Sequence, residues 1–485
     1  MNSSDLCFTS AVDLAREYRA GTLSPVEVVD SILERIDVLN TVLNAFLTIT
    51  PDQARDEARA AELRFRQKKS IGPLDGIPYS LKDLEHTAGI RTTFGSKWFA
   101  DHVPVVDGYL PSRLKKTGAV LLGKTNTSNF GYKDMCDNFL GSPCSNPWSL
   151  DRTSGASSGG AGAAVAAGFG PLAHGSDGAG SIRIPAALCG IFGLKPNFGR
   201  VPSGPTDDVF ATRSHSGPMT RTVRDAAMFL EAMAGHDPRD IFSLGEPVTG
   251  WLAACEGDLT GLRIAWSSDL GYAAVEPEIR AITTRAAKVF SDFGCDMEEC
   301  DPPWTDPRDF HKVIYEVAVA ARQRDRVAEH PEWIEDTLMQ MVENATQVTA
   351  IEHASALLAR SQLLGEAQRF FSDFDLLLTP QMPVAAWSKV PGPREGPQEI
   401  DGRPTPTMFD RLPFTYPFNL TGQPAASVPC GFTSDGLPVG LQIVGRWRDE
   451  ATVLRAAACF EAAQPWAAIR PSIGQTDMNE IPQQQ

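Results

Sequence analysis

Thr153 to Arg200 reads TSGASSGGAGAAVAAGFGPLAHGSDGAGSIRIPAALCGIFGLKPNFGR. Serines and glycines crowd two short turns, and an apolar, alanine-rich run lies between them. Glycine at this density costs conformational entropy, so a folded chain keeps it where the backbone takes unusual angles or approaches another group closely. A serine in such a turn is a candidate nucleophile, because the turn exposes its hydroxyl beside free backbone N–H groups. The two centres are Ser157-Ser158 and Ser181, and a third, Lys82, lies upstream in GIPYSLKD. The alanine-rich run, 161–168, suits a tightly packed helix that Gly168 can end.

Outward from this block, residues 10–65 read as helices. Ser24-Pro25-Val26-Glu27 is a capping box with proline at the first helical position, and Val28, Val29, Ile32, Leu33 and Ile36 follow at helical spacing. Gly72 to Pro78 reads as a turn leading toward Lys82. Residues 109–118 predict a helix ending at Gly118, and Ala119 to Leu122 a short buried strand. Residues 222–234 form an amphipathic helix. Leu262 to Trp266, Pro277 to Phe293 and Met297 onward alternate strand, helix, strand, which argues for an α/β sheet. Residues 305–372 are helical and read as a layer beside the sheet. Leu376 to Leu378 and Leu441 to Val444 are further buried strands, and Pro- and Gly-rich loops such as 383–405 separate the elements. No repeat or linker divides the chain, so residues 1–485 are expected to form one α/β domain, a twisted mixed central sheet flanked by helices. Within it, helices fill 10–65, 66–230 holds the serine and lysine motifs, and 305–372 is the helical layer.

The chain has 485 residues, 42% of them hydrophobic and 21% charged, which suffices for a large core and argues against bulk disorder. The net charge of −16 disfavours nucleic acid or an anionic membrane as partner and suits a neutral or weakly charged small substrate. Nine cysteines are scattered without a C-x-x-C, so neither a disulfide framework nor a zinc site is expected, and a reducing, cytoplasmic compartment is. The N-terminus lacks the apolar stretch of a secretory signal, and no apolar run reaches the roughly 18 residues of a membrane span.

Two pattern matches are decoys. Gly118-Ala-Val-Leu-Leu-Gly123-Lys124-Thr125 satisfies G-x-x-x-x-G-K-[ST], but a phosphate loop needs a strand before it and open backbone within it. Here the internal residues are themselves the strand. Gly155-Ala-Ser157-Ser-Gly159 satisfies G-x-S-x-G, but the upstream NPWSLDRTS is polar and turn-prone where a nucleophile elbow needs a buried strand. The eight histidines show no ligand spacing such as H-E-x-x-H, so no metal site is expected.

What remains is a Ser-Ser-Lys arrangement, and here the chain resembles the amidase signature family. The block Gly155–Arg200 carries the resemblance, with GPLDGIPYSLKD (Gly72–Asp83), LLGKTNTSNFG (Leu121–Gly131), PFNLTGQPAASVPCG (Pro417–Gly431) and GLPVGLQIVG (Gly436–Gly445). It spans roughly residues 10–470. It implies Ser181 as nucleophile, Ser157 as the middle serine after a cis non-proline peptide bond, and Lys82 as the base. A free lysine, with a pKa near 10.4, is neutral only about once in 2,500 molecules at pH 7. The role therefore requires burial away from carboxylates. The resemblance also implies an oxyanion hole from the N–H groups of Gly178, Ala179, Gly180 and Ser181. Ser158 is expected to orient Lys82, Ser176 to stand behind it as a hydrogen-bonding support, and Asp177 and Arg183 to pair and brace the turn. Asp83 is read as structural.

Ala156 and Ala179 occupy usual glycine positions of the family. The D-x-A-G-S form resembles the subgroup with nylon-oligomer cyclic-dimer hydrolases and aryl acylamidases. The implied function is hydrolysis of a carboxylic amide, or of an ester, anilide or urethane-type carbamate, through an acyl-serine, with no cofactor and with homodimerisation a family-level expectation. The alternative within the family is the glutaminase subunit of a tRNA-dependent amidotransferase. That subunit usually carries glutamine after the arginine of the turn, where Ile184 stands here. An uncharged, partly apolar acyl or aryl group is the expected substrate portion, against walls from 130–145, 305–372 and 383–415 that include Trp387, Met408 and Phe414.

Overall fold

The computed structural model describes residues 3–205, 208, 210–246, 248, 250–390 and 395–473. Part of the Pro- and Gly-rich loop read at 383–405, namely 391–394, lies outside the described residues, as does the C-terminal end of the expected 1–485 domain.

One sheet of eleven strands organises the fold. In chain order the strands are β1 (Phe46–Ile49), β2 (Pro78–Lys82), β3 (Val120–Thr125), β4 (Leu172–Asp177), β5 (Phe192–Lys195), β6 (His215–Thr220), β7 (Arg263–Trp266), β8 (Asp296–Glu299), β9 (Leu376–Pro380), β10 (Ala425–Phe432) and β11 (Pro438–Gly445). Their spatial order is β1-β3-β2-β4-β6-β5-β10-β11-β9-β7-β8. β2 runs parallel to both β3 and β4, whereas β4 and β6 are antiparallel, so the sheet is mixed. β2, β3 and β9 are buried at every position, so they lack the apolar-polar alternation of a half-exposed strand.

The capping box at Ser24 and Glu27 is present at the start of the Pro25–Leu43 helix, whose inward face is Val28, Val29, Ile32, Leu33 and Ile36. Residues 10–65 are not all helical, because Phe46–Ile49 pairs with β3 as the edge strand β1. That segment alternates too briefly for periodicity to separate it from the helices on either side. The helical layer consists of Arg308–Glu329, Asp336–Thr346 and Ala350–Asp373.

The glycine- and alanine-rich run forms the helix Gly159–Ala166, buried along its whole length. Its small residues permit close approach. A Cβ on Gly160 would lie 2.3 Å from the Asn126 nitrogen and 2.4 Å from the Ala45 oxygen, both backbone atoms. This helix starts immediately after Ser158, and the chain from its far end returns as β4.

Candidate active site

Two neighbouring parallel strands deliver the first half of the site. Tyr79 pairs with Leu172 and Ser80 with Ala173, so the C-terminal ends of β2 and β4 lie side by side. One ends in Lys82 and the other in Ser176-Asp177. The turn Gly155–Ser158, ahead of the alanine-rich helix, brings Ser157 against Lys82. The Lys82 Nζ donates to Ser157 Oγ at 2.7 Å and to Ser176 Oγ at 3.0 Å. Lys82 is fully buried and Ser157 is buried. The peptide bond between Ala156 and Ser157 is cis.

Among the described residues, no carboxylate comes within ion-pair distance of Lys82 Nζ. Burial pushes its pKa down from 10.5 to about 7, only partly opposed by Cys136, Asp177 and Glu85 at longer range. Lys124, one strand away, makes an instructive contrast. It too is fully buried, but it lies 3.7 Å from the Asp83 carboxylate and donates to Thr87 Oγ1 (3.1 Å) and Thr92 Oγ1 (2.9 Å). The lysine of the phosphate-loop decoy is thus a buried strut inside β3. Asp83, its partner, also accepts from the Thr93 N–H at 2.8 Å and belongs to the same scaffold.

The second half is the turn after β4. Asp177 and Arg183 pair inside the protein, with Arg183 Nε 3.0 Å from Asp177 Oδ2. Burial alone would raise the Asp177 carboxyl, but Arg183, Lys195 and Asn419 hold it far below the usual carboxylate range. Arg183 also donates to Gln442 Oε1 (2.7 Å), Asn419 Oδ1 (2.7 Å) and the Thr415 carbonyl (3.1 Å). Its donors are spent within the scaffold, so its function is to hold the turn. The turn sets Ser181 half-buried, and the Ser158 N–H donates to the Ser181 carbonyl at 3.2 Å, tying the two serine turns together.

Three expectations about this neighbourhood change. Gly180, expected among the oxyanion donors, gives its N–H to Asp177 Oδ1 at 2.7 Å, as the Ile182 N–H does to Oδ2 at 3.2 Å. Among the described residues the amides of Gly178, Ala179 and Ser181 meet no acceptor, and these three are the available donors. Ser158 does not reach Lys82. It accepts from the Ser176 N–H and donates to the Ser176 carbonyl, both at 3.2 Å. Ser176, expected behind the lysine's partners, instead touches Nζ directly through its hydroxyl.

Residues from the LLGKTNTSNFG segment and the expected walls, together with Arg213, make further contacts around the two serine turns. A Cβ on Gly131 would come within 3.3 Å of Ser157 Oγ, so this glycine lies against the middle serine. The next residue, Tyr132, accepts a hydrogen bond on its carbonyl from the Tyr315 hydroxyl at 2.6 Å. Arg213 donates to the Gly178 carbonyl at 3.2 Å. Thr415 Oγ1 donates to the Ala179 carbonyl at 2.6 Å. Of the expected walls, Trp387 and Phe414 are buried, and the Trp387 carbonyl accepts from the Thr153 N–H at 2.8 Å.

A buried lysine hydrogen-bonded to two serines at the carboxyl ends of a mixed sheet, beside a glycine-rich turn that carries Ser181, is the arrangement the fold builds. The Amidase family model matches residues 27–454, and the chain belongs to that family. It is 38% identical to an acylamidase of Rhodococcus erythropolis, an alignment covering 97% of this chain and 99% of that one. It is 35% identical to a subunit of the glutamyl-tRNA(Gln) amidotransferase of Moorella thermoacetica, over 97% of this chain and 99% of that one. Among solved structures, a bacterial aryl acylamidase of the amidase signature family superposes with a TM-score of 0.89 at 32% identity, covering 95% of this chain and 97% of its own. A 6-aminohexanoate cyclic dimer hydrolase superposes with a TM-score of 0.85 at 32% identity, covering 96% and 99%. The chain is therefore an amide C–N hydrolase with the amidase signature fold.

Proposed function

We propose that the chain hydrolyses a carboxylic amide through an acyl-serine on Ser181, with Ser157 as proton relay and Lys82 as base. The observation that carries this is the 2.7 Å hydrogen bond between a fully buried, carboxylate-free Lys82 and Ser157. With a pKa near 7, a large fraction of Lys82 is neutral at physiological pH. Neutral Nζ takes the Ser157 proton while Ser157 takes the Ser181 proton, and Ser181 Oγ attacks the carbonyl carbon. The oxyanion that forms is met by the N–H groups of Gly178, Ala179 and Ser181. The proton then passes to the leaving nitrogen, the C–N bond breaks, and the amine departs. Water, deprotonated by the same relay, attacks the acyl carbon and restores Ser181. Esters, anilides and carbamates offer the same carbonyl with a leaving group. The helices of 305–372 and the loop 383–415 are taken as the walls that select the acyl or aryl portion.

Ile184, after Arg183, where the glutaminase subunit of an amidotransferase usually carries glutamine, supports an amidase, and Lys82, Ser157 and Ser181 present together support a catalytic chain. Nine unpaired cysteines support a reducing, cytoplasmic compartment. Ser181→Ala is expected to abolish turnover of an acyl amide and accumulation of the acyl-enzyme, read by initial rates and intact mass. Undiminished turnover in that variant would remove Ser181 as nucleophile.

A further inference from the structure

Arg213 stands just before β6, and its surroundings are unlike those of the buried arginine of the turn. Its Nη1 donates to the Gly178 carbonyl at 3.2 Å, and its guanidinium carbon lies 4.3 Å from the centre of the Tyr315 ring. Tyr315 reaches from the Arg308–Glu329 helix to the Tyr132 carbonyl at 2.6 Å, and Gly131 lies against Ser157. Taken in order, Ser157, Gly131-Tyr132, Tyr315, Arg213 and Gly178 form a ring of contacts that returns to the turn carrying Ser181. The guanidinium is thus part of the rim over the two serines.

A guanidinium offers five N–H donors in a fixed fork suited to a carboxylate. Among the described residues, the Arg213 side chain hydrogen-bonds the Gly178 carbonyl and the Tyr315 hydroxyl, and no carboxylate lies within ion-pair distance. The acids nearby are already engaged: Asp177 by Arg183, and Asp134 by Arg411, each at 3.0 Å. Two neighbouring arginines share its sign. Arg322 lies 3.8 Å from Asp208, and Arg360 spends its donors on Thr212 and the Leu420 carbonyl. A half-buried cation stacked on an aromatic face, with spare donors and no counterion, is a site for an anion. The net charge of −16 repels anions at long range and by itself points to an uncharged substrate. That sum over the whole chain hides a local positive centre at the one place where substrate must bind.

Resting on the Ser181 chemistry proposed above, we propose that Arg213 receives a carboxylate carried by the amide substrate itself, so that this enzyme prefers amides with a free acid group near the scissile bond. The carboxylate completes the guanidinium fork left open beside Gly178 and places the carbonyl over Ser181. Arg213 is a specificity residue in this account.

The test compares matched substrates in wild type, Arg213→Gln and Arg213→Lys. N-Phenylsuccinamic acid against butyranilide places the acid on the acyl side, and 4-acetamidobenzoate against 4-methylacetanilide places it on the amine side. Wild type is expected to favour the acidic member of one pair in kcat/KM. Arg213→Gln is expected to lower that preference at least tenfold, chiefly through KM, with Arg213→Lys in between. The pair that responds identifies which side of the amide carries the acid. A wild type without preference in either pair, or an Arg213→Gln variant that weakens both members equally, overturns the assignment of Arg213 and leaves the Ser181 chemistry standing. Absence of any turnover that Ser181→Ala removes, with all four compounds and with their primary-amide counterparts, overturns both.

Discussion

At the scale of single residues, two buried lysines on adjacent strands separate structure from chemistry. Lys124 has Asp83 beside it and three oxygens to donate to, whereas Lys82 has two hydroxyls and a carbonyl and, among the described residues, no acid within ion-pair distance. Burial lowers the pKa of both, Lys124 to about 8 and Lys82 to about 7, and for Lys82 this has a cost in stability with a definite sign. In the unfolded chain Lys82 titrates at 10.5, and in the folded protein at about 7. Between those values the unfolded state binds more protons, so the lysine lowers stability as pH falls from about 10.5 to about 7 and adds no further loss below that. Each tenfold change in proton affinity on folding corresponds to about 1.4 kcal/mol. Lys82→Met, which retains the volume without the charge, is expected to exceed wild type in Tm by a few degrees at pH 7, less the loss of the three hydrogen bonds from Nζ. The advantage should shrink steadily toward pH 10. A constant difference across that range would contradict a lysine held neutral by burial. Lys82, Ser157 and Ser181 are legible in the sequence because each sits in an unusual local string. Which amides of the turn remain free is not legible, since it depends on where the Asp177 oxygens point.

Among the elements, those that carry the site are the least readable. β2, β4 and β6 are short, lie within glycine- and proline-containing stretches, and are covered on both faces, so they show neither alternation nor length. The long amphipathic helices and the capping box announce themselves because one face of each meets solvent. The Asn129–Gly131 turn ends the LLGKTNTSNFG segment, but nothing in that string shows that its last glycine packs on Ser157. Gly131 takes φ +70°, and a Cβ there would lie 2.9 Å from Leu84 Cδ1 and 3.3 Å from Ser157 Oγ. Gly131→Ala is expected to displace Ser157 and to lower kcat by about tenfold or more. Stability should fall by only about 1 kcal/mol, the cost of a side chain in this backbone region. Parallel measurement of kcat and Tm checks this. A large loss of Tm with kcat preserved would make Gly131 a folding residue only.

For the whole molecule, the turn that carries Ser181 is held by parts of the chain far apart in sequence. Arg183 joins Asp177 to Thr415, Asn419 and, 259 residues away, Gln442 on β11. Composition and length indicate one α/β domain, but the crossing of β10 and β11 into the middle of the sheet, which makes this network possible, is a long-range pairing that no local pattern encodes. Arg183→Met leaves the Asp177 carboxylate buried without its cation and is expected to cost about 3–5 kcal/mol in urea unfolding. A loss below about 1 kcal/mol would mean the turn is held by other contacts.

The same assembly brings a strand end, a helix start and a turn to one point, where the proposed relay uses a neutral Lys82 as its base. The most direct measurement is the pH dependence of Ser181 modification by a fluorophosphonate, followed by mass of the labelled peptide. Label confined to Ser181 is expected, with a rate rising through one ionisation near pH 7 in wild type and falling by more than about a hundredfold in Lys82→Met. Labelling at another residue, or an unchanged rate and pH profile in Lys82→Met, would contradict a lysine-driven two-serine relay.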